Sequence, residues 1–173
     1  MKRLLLLLVG LFALTACTTL HQGVRDSAAP DAVWTVLPFI NNTETPFAAE
    51  RAEAISTALL YARGIQQVVS MPAEPAAEAD SLIDRGQKRR QEGVAWAKKQ
   101  QIRYAVQGSV TEWRYKVGLD GEPVAGFTLQ LVDLQSDKVV WTGSSGKSGW
   151  SREAVSAVAQ QVLEKLIATI ELR

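Results

Sequence analysis

The sequence predicts a single α/β domain, a mixed β-sheet flanked by helices in the order β-α-β-α-β-β-β-α. Three observations carry that class. In the first half, short runs rich in β-branched and aromatic residues alternate with longer segments of helical apolar period. Three further strand-like runs then follow with only turn residues between them, as in a meander. A last segment with apolar residues at spacings of three and four closes the chain.

The chain opens with Lys2 and Arg3, followed by an apolar stretch from Leu4 to Leu14 broken only by Gly10. Leu14-Thr15-Ala16-Cys17 ends it, and Cys17 is the only cysteine. A positive start, a short apolar run, small residues and a lone cysteine make a secretory signal with a lipobox. The run falls short of the ~20 apolar residues of a spanning helix. Cleavage before Cys17 would leave its thiol to carry a diacylglycerol; an ordinary signal peptide with an incidental cysteine is the alternative. Residues 1–16 are thus expected as signal peptide, 17–30 as lipid anchor and tether, and 31–173 as a periplasmic α/β domain. By the sorting convention of Gram-negative cells, Thr18 in place of Asp favours the outer membrane. Acyl chains anchor firmly in outer-membrane lipid, because each buried methylene contributes about 0.8 kcal/mol.

Thr18 to Pro30 is polar, small and without period, which reads as a tether reaching at most ~45 Å. His21, the only histidine, lies in it and reads as a solvated linker residue. Val33 to Ile40 is the first strand, with Pro38 marking an edge or an exit. Thr45 and Pro46 read as N-cap and first position of a helix whose apolar side is Ala48, Ala52, Ile55, Leu59 and Ala62, with Gly64 as its stop. A short strand around Val68 and Val69 follows, then a Pro/Ala/Glu loop and a helix over 81–101. Val94, Trp96 and Ala97 dock that helix. Tyr104 to Lys116, Gly126 to Asp133 and Lys138 to Ser144 are the last three strands, with the Asp120-Gly121 hairpin signal between the first two. Gly143 to Gly149 reads as a Gly/Ser-rich loop. Ser151 would cap the final helix.

Without residues 1–16 the chain carries 17 Lys+Arg against 18 Asp+Glu, a formal −1. That is no electrostatic footprint for nucleic acid. No disulfide framework is available, and no cysteine, histidine and carboxylate cluster has metal-ligand spacing. Gly146-Lys147-Ser148 lacks the glycine that a phosphate-binding loop needs five residues earlier, where Trp141 stands. A serine triad lacks a base, since the lone histidine sits in the tether. No catalytic residue, cofactor or metal is expected.

The stretches Val36-Leu37-Pro38-Phe39 with Asn41-Asn42-Thr43, Tyr104 to Val110, and Val139-Val140-Trp141-Thr142-Gly143 to Trp150 carry a resemblance. With them the whole mature chain resembles the PelC lipoproteins of Pel exopolysaccharide export. The first two stretches are shared with a wider group: curli-secretion lipoproteins, lipoprotein activators of peptidoglycan synthases and the TolB N-terminal domain. The resemblance implies a non-enzymatic part that forms a ring of about a dozen subunits under the outer membrane, beside a PelB-like β-barrel exporter. The lumen of such a ring is acidic and attracts a cationic polysaccharide.

In this chain the resemblance makes Asp120 and Glu122, on the hairpin turn, the polymer-guiding candidates; solvated turn residues are the plainer reading. Trp150 would meet the inner face of the membrane, or else cap the core beneath the last helix. Lys88, Arg89 and Arg90 would form a basic contact patch, or simply a solvated helix face. Asp133 and Asp137 are further acidic positions for a complementary patch. Trp34, Trp96, Trp113 and Trp141 read as packing. A periplasmic regulator that binds and activates a cell-envelope enzyme such as a peptidoglycan synthase is the alternative function. Such regulators usually carry a long tether, and this one is short.

Overall fold

The computed structural model describes residues 18–72, 82–118 and 121–173; Cys17 and Asp120 lie outside the described residues. Seven strands, β1 (Thr18–Arg25), β2 (Val33–Val36), β3 (Ile40–Asn41), β4 (Gln67–Val69), β5 (Tyr104–Tyr115), β6 (Pro123–Asp133) and β7 (Lys138–Ser148), form one mixed sheet. Its order is β1-β7-β6-β5-β2-β4, with β3 continuing beside β5. The helices are α1 (Ala48–Ala62), α2 (Leu82–Lys99) and α3 (Val155–Ile167). The α/β class holds.

Residues 18–25 are not a tether. They pair antiparallel with β7, from Thr18↔Lys147 to Gln22↔Gly143. Leu20 packs against the core, and the Ser145 hydroxyl donates to the Thr19 carbonyl at 2.7 Å. Backbone hydrogen bonds rather than an apolar pattern hold this edge strand. Because β1 supplies a second partner, β7 runs on to Ser148, through the segment whose glycines and serines read as a loop.

The expected strand from Val33 to Ile40 is interrupted. β2 and β3 both run parallel to β5, separated by Leu37-Pro38-Phe39. Proline has no N–H for a ladder. The side chains of α1 and α2 serve the backbone there: Glu53 accepts the Phe39 N–H at 2.8 Å and Arg90 Nε donates to the Pro38 carbonyl at 3.2 Å.

Helices α1 and α3 cover one face of the sheet. Trp34, Trp113, Trp141, Phe39 and Phe127 lie there, each at most 1% exposed. Trp113 meets Phe127 edge-on at 6.0 Å. On the other face α2 covers only one end, where Ala97 packs with Leu37, Ile102, Ala105 and Leu134, flanked by Val94 and Trp96.

Two helix starts differ from the sequence reading. Thr45 donates its hydroxyl to the Trp113 carbonyl, so it cannot cap α1. Phe47 takes the N-cap position at φ 60°. Ser151 does not cap α3 either, which begins at Val155 after a tight turn. Gly64, at φ 89°, ends α1 as expected.

Candidate functional site

Four strand ends meet at one level of the sheet. Tyr115 of β5 faces Pro123 of β6, Val124 faces Ser148 of β7, and Lys147 faces Thr18 of β1. The residue before Thr18 is Cys17, so the chain enters the domain at this end.

Trp150 follows two residues after β7 and is 62% exposed. A stiff turn presents it. The Gly149 N–H donates to the Pro123 carbonyl at 2.8 Å. A Cβ on Gly149 would lie 2.4 Å from Glu153 Oε2 and 2.5 Å from Val158 Cγ2, so only glycine fits. Glu153 then closes the turn: its Oε2 accepts the Trp150 N–H at 3.1 Å, and its own N–H donates to the Trp150 carbonyl at 3.0 Å. Gln161 Nε2 donates to Glu153 Oε1 at 3.2 Å, and Lys147 Nζ donates to Gln161 Oε1. Arg152 sits at φ 74°, a region that side chains other than glycine rarely adopt. The first free N–H of α3, on Val155, donates to the Tyr115 hydroxyl at 3.2 Å. A side chain from β5 thus does the work expected of a serine cap.

Glu122 also lies at this end, in an exposed ion pair with Lys116 at 3.1 Å. Such pairs contribute about 0–1 kcal/mol. The Lys116 N–H donates to the Glu122 carbonyl at 2.8 Å, closing the base of the hairpin. Gly121 takes φ 50° there.

Lys88, Arg89 and Arg90 point to three different places. Lys88 stays in solvent, 4.0 Å from Glu92. Arg89 crosses to Glu50 of α1 at 3.4 Å. Arg90 turns inward to the Pro38 and Gly108 carbonyls. Burial lowers the Arg90 pKa, with Glu53 opposing. Burial likewise raises the Glu53 pKa, against the Phe39 N–H and the nearby arginines.

Asp133 and Asp137 lie at the opposite end of β6, about 35 Å away at ~3.3 Å per residue. Asp133 is only 6% exposed, so it is no surface patch. Its Oδ1 accepts the Gln135 N–H at 2.9 Å, and its Oδ2 meets Arg103 at 2.7 Å. Burial alone would raise its pKa, but the Gln135 N–H, Arg103 and the Ser136 N–H outweigh burial and hold it low. Asp137 pairs with Lys98 at 2.5 Å.

Sequence reasoning missed the uncovered face of the sheet. Ser109, Thr128, Ser144 and His21 form one row across β5, β6, β7 and β1. Glu112, Gly126, Gly146 and Thr19 form the next row. The two glycines floor a shallow groove of about 270 Å³ with Thr111 and Lys147 on its sides. His21 belongs to this row only because residues 18–25 are a strand, and nothing in its neighbours announced one. A wider hollow of about 1040 Å³ opens at the far end, where Arg63 donates to the Ile170 carbonyl at 2.8 Å; none of the sequence-predicted residues line it. Among the described residues no group of three His, Cys, Asp or Glu could hold a metal ion, and no helix is long and apolar enough to cross a membrane.

No family model matches the chain, and no curated protein sequence does. Solved structures do. A PelC dodecamer from Paraburkholderia phytofirmans is similar at 34% identity and a TM-score of 0.75, covering 91% of this chain and 99% of that one. A single-substitution PelC variant from the same organism, also a dodecamer, gives 34% identity and a TM-score of 0.76, covering 91% and 100%. Lipoprotein GNA1162 from Neisseria meningitidis, at 17% identity and a TM-score of 0.54 over 79% of this chain and 96% of that one, shares the fold alone.

Proposed function

The chain belongs to the PelC family, and from that membership we propose an outer-membrane-anchored lipoprotein that assembles into a ring and guides a cationic exopolysaccharide to its export pore. The observation that carries this reading is the 34% identity over 91% of the chain to a dodecameric PelC. A ring is a heterologous contact that closes, so each subunit offers two different complementary faces.

In this reading Cys17 carries the lipid and Trp150 meets the membrane–water interface, where an indole is at home. Asp120 and Glu122 sit on the hairpin that borders the lumen. One carboxylate repeated around a ring focuses a negative potential on the opening. It also gives avidity for a polymer bearing many amines. The Glu122–Lys116 pair weakens the field of Glu122, which leaves Asp120 as the stronger contributor. A PelB-like β-barrel exporter would receive the polymer. The catalytic role is none: the ring positions and attracts.

The alternative, a regulator of a cell-envelope enzyme, needs reach from the membrane. Thr18 already stands in the sheet, so nothing between Cys17 and the domain supplies that reach.

The test is imaging of the full-length lipoprotein on a supported outer-membrane lipid bilayer, together with export by cells carrying Asp120→Asn. Twelve-fold rings and reduced export are expected. Dispersed monomers on the bilayer would overturn the ring. Unchanged export would remove Asp120 from the guiding role.

A further inference from the structure

The sheet end that carries Trp150 presents a second apolar element. Six large hydrophobic side chains are exposed among the described residues, and Tyr115, Val117 and Trp150 share this end. Val117 stands two residues beyond the last β5–β6 pair and is fully exposed. One exposed valine means nothing by itself. Apolar side chains gathered at one end mark a contact surface.

We propose that the β5–β6 hairpin end, through Val117, enters the lipid leaflet beside Trp150, so that each subunit stands on two apolar feet with its strands along the membrane normal. This deepens the reading of Cys17 and Trp150 above and rests on it.

The way the chain enters the domain selects lipid as the occupant. β1 begins at Thr18, paired with Lys147, so residues 1–17, including Cys17, join the domain at this end and no other. β1 and β5 are three strand spacings apart, about 14 Å. The anchor and Val117 therefore lie on opposite sides of the sheet end. Trp150, on the way to α3, leads off toward the helical face and stands out of that line. Three contacts out of line fix a plane, whereas a lipid alone leaves the domain free to tilt. Lys116 and Lys147 neighbour these contacts and place ammonium groups at headgroup depth, where anionic lipid would meet them.

The test uses depth-sensitive fluorescence on the full chain in phosphatidylethanolamine–phosphatidylglycerol vesicles. Val117→Cys, Trp150→Cys and a far-end control, Ser136→Cys, are each labelled with an environment-sensitive dye and exposed to lipids carrying acyl-chain spin labels. Wild type labelled in parallel reports any dye on Cys17. Quenching at 117 and 150, with none at 136, is the expected result. Quenching at 150 but not at 117 would overturn the second foot and leave the function proposed above standing. Quenching at neither would overturn both. A blue shift at 117 that is complete before vesicles are added would show that a second copy of the chain covers Val117, and would also overturn the proposal. Val117→Asp gives an independent readout: at least a few-fold weaker vesicle retention at high salt, with an unchanged melting temperature because the site is exposed.

Discussion

Glu153 shows how a single side chain sets the direction of another. Its carboxylate holds the Trp150 N–H and is itself held by Gln161 and, through it, by Lys147. Glu153→Ala should loosen the turn and cost about 1 kcal/mol, the usual net worth of one hydrogen bond. Glu153→Gln keeps an acceptor and should behave closer to wild type. Chemical denaturation compares the two. Two other carboxylates carry opposite pH signatures. The Asp133 pKa is lowered by folding, so its stabilisation is present above the ordinary value of about 3.9 and is lost as pH falls through the folded value. The Glu53 pKa is raised by burial, so its contribution is present at acid pH and is lost as pH rises through the folded value. Urea midpoints measured from pH 3 to 7 should show the Asp133→Asn penalty growing with pH. The difference between Glu53→Gln and wild type should move in favour of the variant over the same range. Parallel pH curves for variant and wild type would remove the assigned couplings.

At the scale of the element, legibility followed the kind of force that holds each segment. Helices α1 to α3 and strands β5 to β7 bury apolar faces, and their periods were visible in Ala52 and Leu60, in Val158 and Leu166, and in Phe127, Leu129 and Leu131. β1 was invisible because Thr18-Thr19-Leu20-His21 holds its place by backbone hydrogen bonds and one leucine. The N-terminus of α3 misled for a related reason. Ser151 is a good cap by type, but the Trp150–Glu153 turn occupies that stretch, and Tyr115, thirty-six residues earlier, serves the helix end instead. Glycines separate the two kinds of position sharply. At Gly146 the nearest atom to an added Cβ is a carbonyl oxygen at 3.5 Å, so Gly146→Ala should leave the melting temperature within about a degree or raise it slightly. Gly149→Ala meets three side chains at 3.0 Å or less and should lose roughly 1–3 kcal/mol, the usual cost of overpacking. Thermal melts of the two variants measure this contrast directly.

For the whole molecule, the candidate site was legible in part. Trp150 stood out in the sequence by its place after a Gly/Ser run, and in the fold it is exposed at the end where the chain enters. The basic run Lys88-Arg89-Arg90 did not survive as a unit, because successive helix positions point about 100° apart and one of the three met a gap in the sheet. The acidic positions divided between two ends of the sheet for an equally plain reason: β6 carries them apart. Loss of β1 should therefore be a global event. Deleting residues 18–25 would expose the β7 edge and Leu20's contact site, and the variant is expected to aggregate through that open edge, which size-exclusion chromatography with light scattering would detect. The same strand has a mechanical meaning. It starts at the membrane end and runs away from it, hydrogen-bonded without a break from Thr18 to Gln22. A tug on an acyl chain at Cys17 would travel along the strand axis and load those bonds together in shear, instead of peeling them one after another. Such an attachment has no slack to take up, and drag from a passing polymer would be resisted by the sheet itself.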